Sequence, residues 1–97
     1  MRYKRIRVVR APNWTSEPKE SCKALRGLEF TARGPFSAFR NWKDGSLGFY
    51  EVSWLAVVRV LRMNGAKNAA EHFDSIRKIM RFESNKLYFL TTDCQEI

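Results

Sequence analysis

Arginine and lysine residues are interleaved with aromatic residues along residues 33–50, and these side chains suit binding chemistry better than catalysis. Guanidinium and ammonium groups bind phosphates or carboxylates, while aromatic rings stack on bases or fill pockets of a protein partner. The pattern therefore predicts a contact surface for single-stranded nucleic acid or for a protein, with packing of the rings in the core as the alternative. The predicted contact residues of this segment are Arg33, Phe36, Phe39, Arg40, Trp42 and Lys43.

The N-terminal segment 2–10, RYKRIRVVR, is a second basic element. In an extended chain, Ile6 and Val8 face one side and Arg5 and Arg7 the other, because strand side chains alternate. The pattern predicts a strand with one basic face, and an ordinary edge strand whose charges discourage aggregation is the alternative. The arginines that this strand adds to the predicted contact surface are Arg5, Arg7 and Arg10.

Residues that could catalyse a reaction or bind a metal are few. His72 is the only histidine, so it cannot form a usual zinc site, and it has no recognisable nucleophile as a companion. Cys22 and Cys94 lie far apart and fit no CxxC pattern, so free thiols are expected more than a disulfide between them. We therefore expect no catalytic, metal-binding or cofactor-binding site, and we do not expect an enzyme.

Two consecutive helices are predicted in the second half of the chain. Apolar residues recur at helical spacing after Ser53, a candidate N-cap, and again after the helix-ending pair Asn64-Gly65. A DNA-binding helix-turn-helix is disfavoured, because its core positions counted from the turn glycine would fall on Glu71 and Asp74. The sequence predicts a plain helical hairpin over residues 53–82. Its apolar positions are Trp54, Leu55, Val58 and Leu61, then Ala69, Ala70, Phe73, Ile76, Ile79 and Met80.

The expected fold class is α+β. Residues 1–97 should form one small domain with a C-terminal helical hairpin and a few short strands. Within it, residues 1–50 form a basic, aromatic-rich contact region. The other predicted elements are a helix over residues 17–26 that ends at Gly27, strands over residues 28–32 and 86–92, and a turn at Asp44-Gly45 that could close a hairpin.

The charge of the chain is unevenly distributed. Residues 1–43 hold eleven basic and three acidic residues, whereas residues 44–97 hold seven of each, so the net charge of +8 belongs to the first part. This asymmetry predicts an anionic partner. No apolar run approaches the roughly 18 residues of a membrane span, and the N-terminus lacks the apolar stretch of a signal peptide. We therefore expect a cytoplasmic protein that does not bind a membrane.

Two long segments carry a resemblance to a known family. The start MRYKRIRVVRAPNW and the segment GPFSAFRNWKDGSLGFYEVSWLAVVRVLRMNGAKNAA, together with the length and basicity of the chain, resemble the anti-RecBCD (Abc-type) accessory proteins of lambdoid phages. The resemblance implies a protein without enzymatic activity that binds the host RecBCD helicase–nuclease through its RecC subunit. It implies that binding alters the action of RecBCD on DNA ends, so that linear phage DNA survives and phage recombination can use those ends. No family motif assigns these roles to particular residues.

The sequence leaves two other functions open. The first is a small basic module that binds DNA or RNA directly, through the arginine and aromatic residues of the contact region. The second is a ribonuclease toxin of a toxin–antitoxin pair, a class that shares this size and basicity. A prolyl isomerase is a further candidate partner, because Gly34-Pro35-Phe36 lies within the aromatic segment.

Overall fold

Alternating burial along the first strand defines the two sides of the sheet. The strand β1 spans Tyr3–Val8; Ile6 and Val8 are fully buried, whereas Arg5 is exposed and Arg7 is half-buried. Successive strand side chains point to opposite faces, so the aliphatic residues define an inner face and the arginines an outer face, as predicted. The residues described by the structure, a computed structural model, are 2–14, 18–41, 45–79 and 85–97.

The described residues form five strands and three α-helices, which confirms the α+β class for this small single domain. In chain order the elements are β1 (Tyr3–Val8), α1 (Lys19–Lys23), β2 (Glu29–Asn41), β3 (Gly45–Ser53), α2 (Trp54–Met63), α3 (Lys67–Ile79), β4 (Lys86–Leu90), a 3-10 turn (Thr91–Asp93) and β5 (Cys94–Glu96). The strands lie side by side in the order β4-β3-β2-β1-β5, and every neighbouring pair is antiparallel.

The predicted C-terminal helical hairpin is not confirmed, because the chain continues past α3 into β4 and ends in strands. Met80, the last predicted apolar position of that hairpin, lies outside the described residues. Two strands are longer than predicted, since β2 has 13 residues and β3 has 9. The strands β1 and β4 are shorter than the predicted ranges 2–10 and 86–92. The last strand, β5, forms in a polar tail that has no strand pattern of its own. Its pairing with β1, where Cys94 lies opposite Val8, supplies the hydrogen bonds that hold this short segment extended.

Residues 33–50 belong largely to a β-hairpin, which the turn predicted at Asp44-Gly45 had suggested. The two strands β2 and β3 pair antiparallel as far as Asn41 and Gly45 and so form a hairpin. Residues 42–44, which include Asp44 of the predicted turn, lie outside the described ranges. A register shift in β2 includes Gly34, whose φ is +125°. This left-handed conformation favours glycine, which explains why a glycine-containing segment can still form a strand.

The inner face of the sheet packs against the helices and forms the hydrophobic core. The aromatic rings of Phe30 in β2 and Phe89 in β4 stack at a centroid distance of 5.7 Å, and Trp14 lies 5.0 Å from Phe89. Burial of these rings and of the aliphatic side chains around them is the main stabilising contribution in a small domain. The other core residues are Ile6, Val8, Leu25, Ala32, Tyr50, Val52, Trp54, Val57, Val58, Leu61, Ala69, Ala70 and Phe73.

The helices α2 and α3 begin and end near the predicted residues. Asn64 and Gly65 separate them, and the φ of +79° at Gly65 suits the turn. The indole of Trp54 donates a hydrogen bond to the Phe73 carbonyl at 3.0 Å, which links the two helices inside the core. Ile79, predicted to lie on the apolar stripe, is 74% exposed, because it ends α3 beyond the packed face.

The first helix is shorter than predicted. It spans Lys19–Lys23, whereas the sequence suggested residues 17–26, and residues 15–17 lie outside the described part of the chain. A turn continues to Gly27, whose amide donates to the Val8 carbonyl at 2.7 Å. This segment has few apolar side chains on one face. The packing of Leu25 in the core therefore stabilises it more than its helix propensity does.

A hydrogen bond joins two strands that are not neighbours in the sheet. The Tyr50 hydroxyl in β3 donates to Oε1 of Glu96 in β5 at 2.8 Å. The sheet must therefore curve toward its inner face, because β2 and β1 lie between these strands in the sheet order. Burial, followed by the hydrogen bond to Glu96, raises the pKa of Tyr50 to about 12.

Replacing Tyr50 with phenylalanine should change how stability responds to alkaline pH. The pKa of tyrosine is about 10 in an unfolded chain, so the contribution of Tyr50 is complete below pH ~10 and is lost as the pH rises toward 12. We expect the difference in unfolding free energy between wild type and Tyr50→Phe to shrink by about 2 kcal/mol over this interval. Urea denaturation at a series of pH values measures it, and a constant difference would contradict the assignment.

Candidate partner-binding surface

The outer face of the sheet carries the candidate site. Because the described helices pack on the inner face, the alternate side chains of β1 to β4 point to the opposite side. These side chains are half-buried or exposed, whereas most inner positions of the same strands are fully buried. The outer face comprises Tyr3, Arg5 and Arg7 of β1, Glu29, Thr31, Arg33 and Phe36 of β2, Leu47, Phe49 and Glu51 of β3, and Lys86, Tyr88 and Leu90 of β4.

The arginines of β1 form a basic strip that is partly neutralised within the chain. Glu29 pairs with Arg7 at 2.9 Å and with Arg5 at 3.6 Å, and Arg5 also donates to the Thr31 hydroxyl at 3.1 Å. Such exposed ion pairs each contribute only about 0–1 kcal/mol, so a partner can replace them at small cost. Two guanidiniums facing one carboxylate keep the strip positively charged.

Arg33 and Phe36 bring a guanidinium beside an aromatic ring at the centre of the outer face. The Arg33 Cζ lies 5.9 Å from the centroid of the Phe36 ring, a distance at which a cation–π contact stabilises both groups. The Arg33 Nε is buried and has no hydrogen-bond partner among the described residues. Arg2, Gly34 and Pro35 complete a cavity of about 390 Å³ around this pair, and the Gly34–Pro35 peptide bond is cis. We call this the arginine cavity.

A second, apolar cavity lies next to the arginine cavity and shares Phe36 with it. The rings of Phe36 and Phe49 lie 5.6 Å apart, and Tyr88 meets Phe49 edge-on at 5.5 Å. Leu47 and Leu90 complete the apolar lining, and the cavity holds about 470 Å³, which is large enough for an aromatic or aliphatic side chain. We call this the aromatic cavity.

Glu51 is the one charged residue among the described residues that line the aromatic cavity. Its carboxylate is mostly shielded and lies 3.8 Å from the Lys86 Nζ, which pairs with it across β3 and β4. An anion inside this cavity would be repelled by the Glu51 carboxylate, whereas an apolar side chain would contact mainly the rings and leucines. The two neighbouring cavities therefore differ in the chemistry they favour.

The structure brings together four of the nine predicted contact residues on the outer face: Arg5, Arg7, Arg33 and Phe36. Arg10 follows β1 and lies 4.0 Å from Asp93, away from these cavities. Phe39 and Arg40 belong to β2, but their side chains lie outside the described part, and so do the residues Trp42 and Lys43. The residues that sequence analysis did not include are Leu47, Phe49, Glu51, Tyr88 and Leu90.

Asp74 lies where a DNA-binding helix would need a residue that contacts bases. Its carboxylate is surrounded by cations, with Arg77 at 2.9 Å, Lys78 at 3.2 Å and Arg62 at 3.5 Å. Hydrogen bonds from Arg77 and Lys78 hold the pKa of Asp74 below its usual value. The polar side of α2 and α3 therefore forms an ion-pair network that ties the two helices together.

The potentially reactive side chains are not clustered in the described part of the chain. Cys22 is buried and Cys94 is half-buried, and neither forms a disulfide bond. Burial and the nearby Asp93 raise the pKa of Cys94 to about 11, so its thiol stays protonated at neutral pH. Among the described residues, no group of three histidine, cysteine or acidic side chains could hold a metal ion.

Comparisons of the chain with protein-family models, with curated proteins and with solved structures find no match. Within the residues that are described, no helix is both long enough and apolar enough to cross a membrane.

Proposed function

We propose that this protein is an accessory factor that binds and modulates a host DNA-processing enzyme of the RecBCD helicase–nuclease type. In this proposal it acts without catalysis of its own, through contact with the RecC subunit, and thereby protects phage DNA ends and favours phage recombination. The observation that carries the proposal is the outer face of the sheet, where an apolar cavity and a cluster of arginines lie side by side.

The composition of the outer face is typical of a protein-binding surface. Aromatic residues and arginine are enriched at the centres of protein interfaces, where they supply large contact areas for few rotatable bonds. Tyr88 is 46% exposed and Leu90 is 37% exposed, although both are apolar enough to favour burial. A partner that covers the aromatic cavity would remove this apolar surface from water, and the free energy gained would drive association.

The charge of the protein fits a partner that works on DNA. A protein with a net charge of +8 is attracted to acidic protein surfaces and to DNA that leaves an enzyme channel. Arg5, Arg7 and Arg33 concentrate part of this charge on the same face as the aromatic cavity. A surface of this kind can be steered toward a DNA-bound enzyme and then held by apolar contacts.

A pull-down from a bacterial lysate tests the proposed function. We expect the tagged protein to capture the subunits of a helicase–nuclease complex, identified by mass spectrometry, after nuclease treatment has removed bridging DNA. Capture should weaken only modestly at raised salt, because the apolar contacts of the interface are not screened. Recovery of no helicase–nuclease subunit under these conditions would contradict the proposal.

Direct binding of single-stranded DNA or RNA is the second candidate, and the contact between Arg33 and Phe36 favours it. A guanidinium beside a ring can hold a phosphate while a base stacks nearby. In a gel-shift assay at low salt, such a module would retain an oligonucleotide, and its affinity would fall steeply as salt rises. Failure to bind any oligonucleotide at low salt would remove this candidate; the ribonuclease-toxin alternative stays a prediction from the sequence.

A further inference from the structure

The two cavities of the outer face are adjacent and complementary in chemistry. Phe36 lines both cavities. Arg2 and Arg33 line the arginine cavity with it, and Phe49 and Tyr88 line the aromatic cavity with it. The volumes of about 390 and 470 Å³ are each sufficient for one large side chain. A single short segment of another molecule can therefore occupy both cavities at once.

The arginine cavity is suited to a carboxylate. Arg2 and Arg33 both line it, and the buried Nε of Arg33 has no hydrogen-bond partner among the described residues. Two arginines at the lining of one cavity favour an anionic occupant over a neutral one. A carboxylate can accept hydrogen bonds from guanidinium groups in the paired geometry that arginine favours.

The aromatic cavity is better suited to an apolar side chain than to nucleic acid. Glu51 is the charged group at its lining, and Lys86 already pairs with that carboxylate. A polyanion that crossed this cavity would bring phosphates toward the Glu51 carboxylate, which would repel them. The edge-on contact between Phe49 and Tyr88 also means that these two rings do not share one plane on which bases could stack.

We infer that the outer face binds a short segment of a protein partner in which a large apolar side chain stands close to an acidic residue. The apolar side chain enters the aromatic cavity, and the carboxylate binds Arg2 and Arg33. This inference rests on the proposed function, because it names the feature by which the partner enzyme is recognised. The shared Phe36 places the two side chains within about four residues of each other along an extended segment.

Selection of displayed random peptides on the immobilised protein tests the inference directly, because the peptide library samples acidic, basic and apolar segments alike. We expect enrichment of peptides with Trp, Phe, Leu or Met within about four residues of Asp or Glu. The charge reversal Arg33→Glu should abolish the preference for acidic residues. Enrichment without an acidic residue, enrichment of basic peptides, or no enrichment at all would overturn the inference.

Binding constants of a selected peptide provide the quantitative test. Fluorescence anisotropy should show a loss of affinity of about tenfold or more for Arg33→Glu, and for Arg2→Glu in case the first variant is poorly folded. The matched control Arg59→Glu reverses an exposed charge on α2 and should change affinity by no more than about twofold. Equal losses in all three variants would show a general charge effect and would overturn the inference.

The outcomes also separate this inference from the proposed function. If Arg33→Glu and Arg2→Glu still capture the helicase–nuclease at wild-type strength, the proposed function stands and the recognition of an acidic apolar segment is wrong. If the expected peptides are selected but no helicase–nuclease is captured, the surface is assigned correctly and the proposed partner is wrong. Displacement of the peptide by single-stranded DNA at lower concentration than by free peptide would assign the face to nucleic acid.

Discussion

Replacing Phe89 with alanine is expected to lower the free energy of unfolding by about 3–5 kcal/mol. The Phe89 side chain is fully buried on the inner face of β4, where it stacks on Phe30 and contacts Trp14. Its removal leaves a cavity that the surrounding strands cannot fill, in addition to the lost burial of the ring. A domain of this size has a total stability of about 5–15 kcal/mol, so the substitution should remove a large fraction of it.

The neighbouring residue gives a matched control on the same strand. Tyr88 lies on the outer face and is 46% exposed, so Tyr88→Ala should cost about 1 kcal/mol or less. Urea denaturation followed by circular dichroism measures both variants under the same conditions. Similar losses for the two substitutions would contradict the division of β4 into a core face and a contact face.

Replacing Leu90 with aspartate is expected to weaken binding of the helicase–nuclease by about 30-fold or more. The substitution removes part of the lining of the aromatic cavity and places a carboxylate next to Glu51. An apolar side chain of the partner would then enter a cavity with two acidic groups, and its burial would be strongly disfavoured. Biolayer interferometry with the purified enzyme measures the change in affinity.

A leucine of similar exposure on the other side of the domain serves as the control. Leu55 lies in the first turn of α2 and is 40% exposed, compared with 37% for Leu90. An aspartate near a helix N-terminus is well tolerated, so Leu55→Asp should remain folded. We expect wild-type affinity for this variant, and an equal loss of affinity in both variants would show that the outer face has no special role.

Local sequence patterns predicted the elements that are determined by residues close together in the chain. The alternation of Ile6 and Val8 with arginines marked β1, and Asn64-Gly65 marked the boundary between two helices. The hairpin of β2 and β3 was harder to predict, because Gly34, like the other glycines of that segment, is typical of loops. The structure accommodates Gly34 at a shift of register, so that strand pairing continues on both sides of it.

Only part of the candidate site could be predicted from the sequence, because some of its residues are brought together only by strand pairing. Arg33 and Phe36 are close in sequence, but Tyr88 and Leu90 reach the same cavity only because β4 pairs with β3. One available signal was the sequence KLYFL, in which both alternating sets contain apolar residues. One set must face the core, so the other set must be covered by a second layer or offered to a partner.

The basic first half of the chain contributes side chains both to the outer face and to the core. Arg5 and Arg7 face outward but share Glu29, whereas Ile6 and Val8 of the same strand lie in the core. A count of charges along the sequence cannot show this, because the ion pairs depend on the register between β1 and β2. The basic strip is therefore less charged than the sequence suggests, and the arginine cavity provides the more specific contact.

Binding of the protein to a purified RecBCD-type helicase–nuclease is the most direct test of the central claim. We expect saturable binding at micromolar concentration or below, with a matching change in exonuclease activity on linear DNA. We also expect Leu90→Asp to shift both curves to higher concentration, whereas Leu55→Asp should leave them unchanged. Absence of binding by the folded wild-type protein, or binding and modulation that Leu90→Asp does not alter, would contradict the claim.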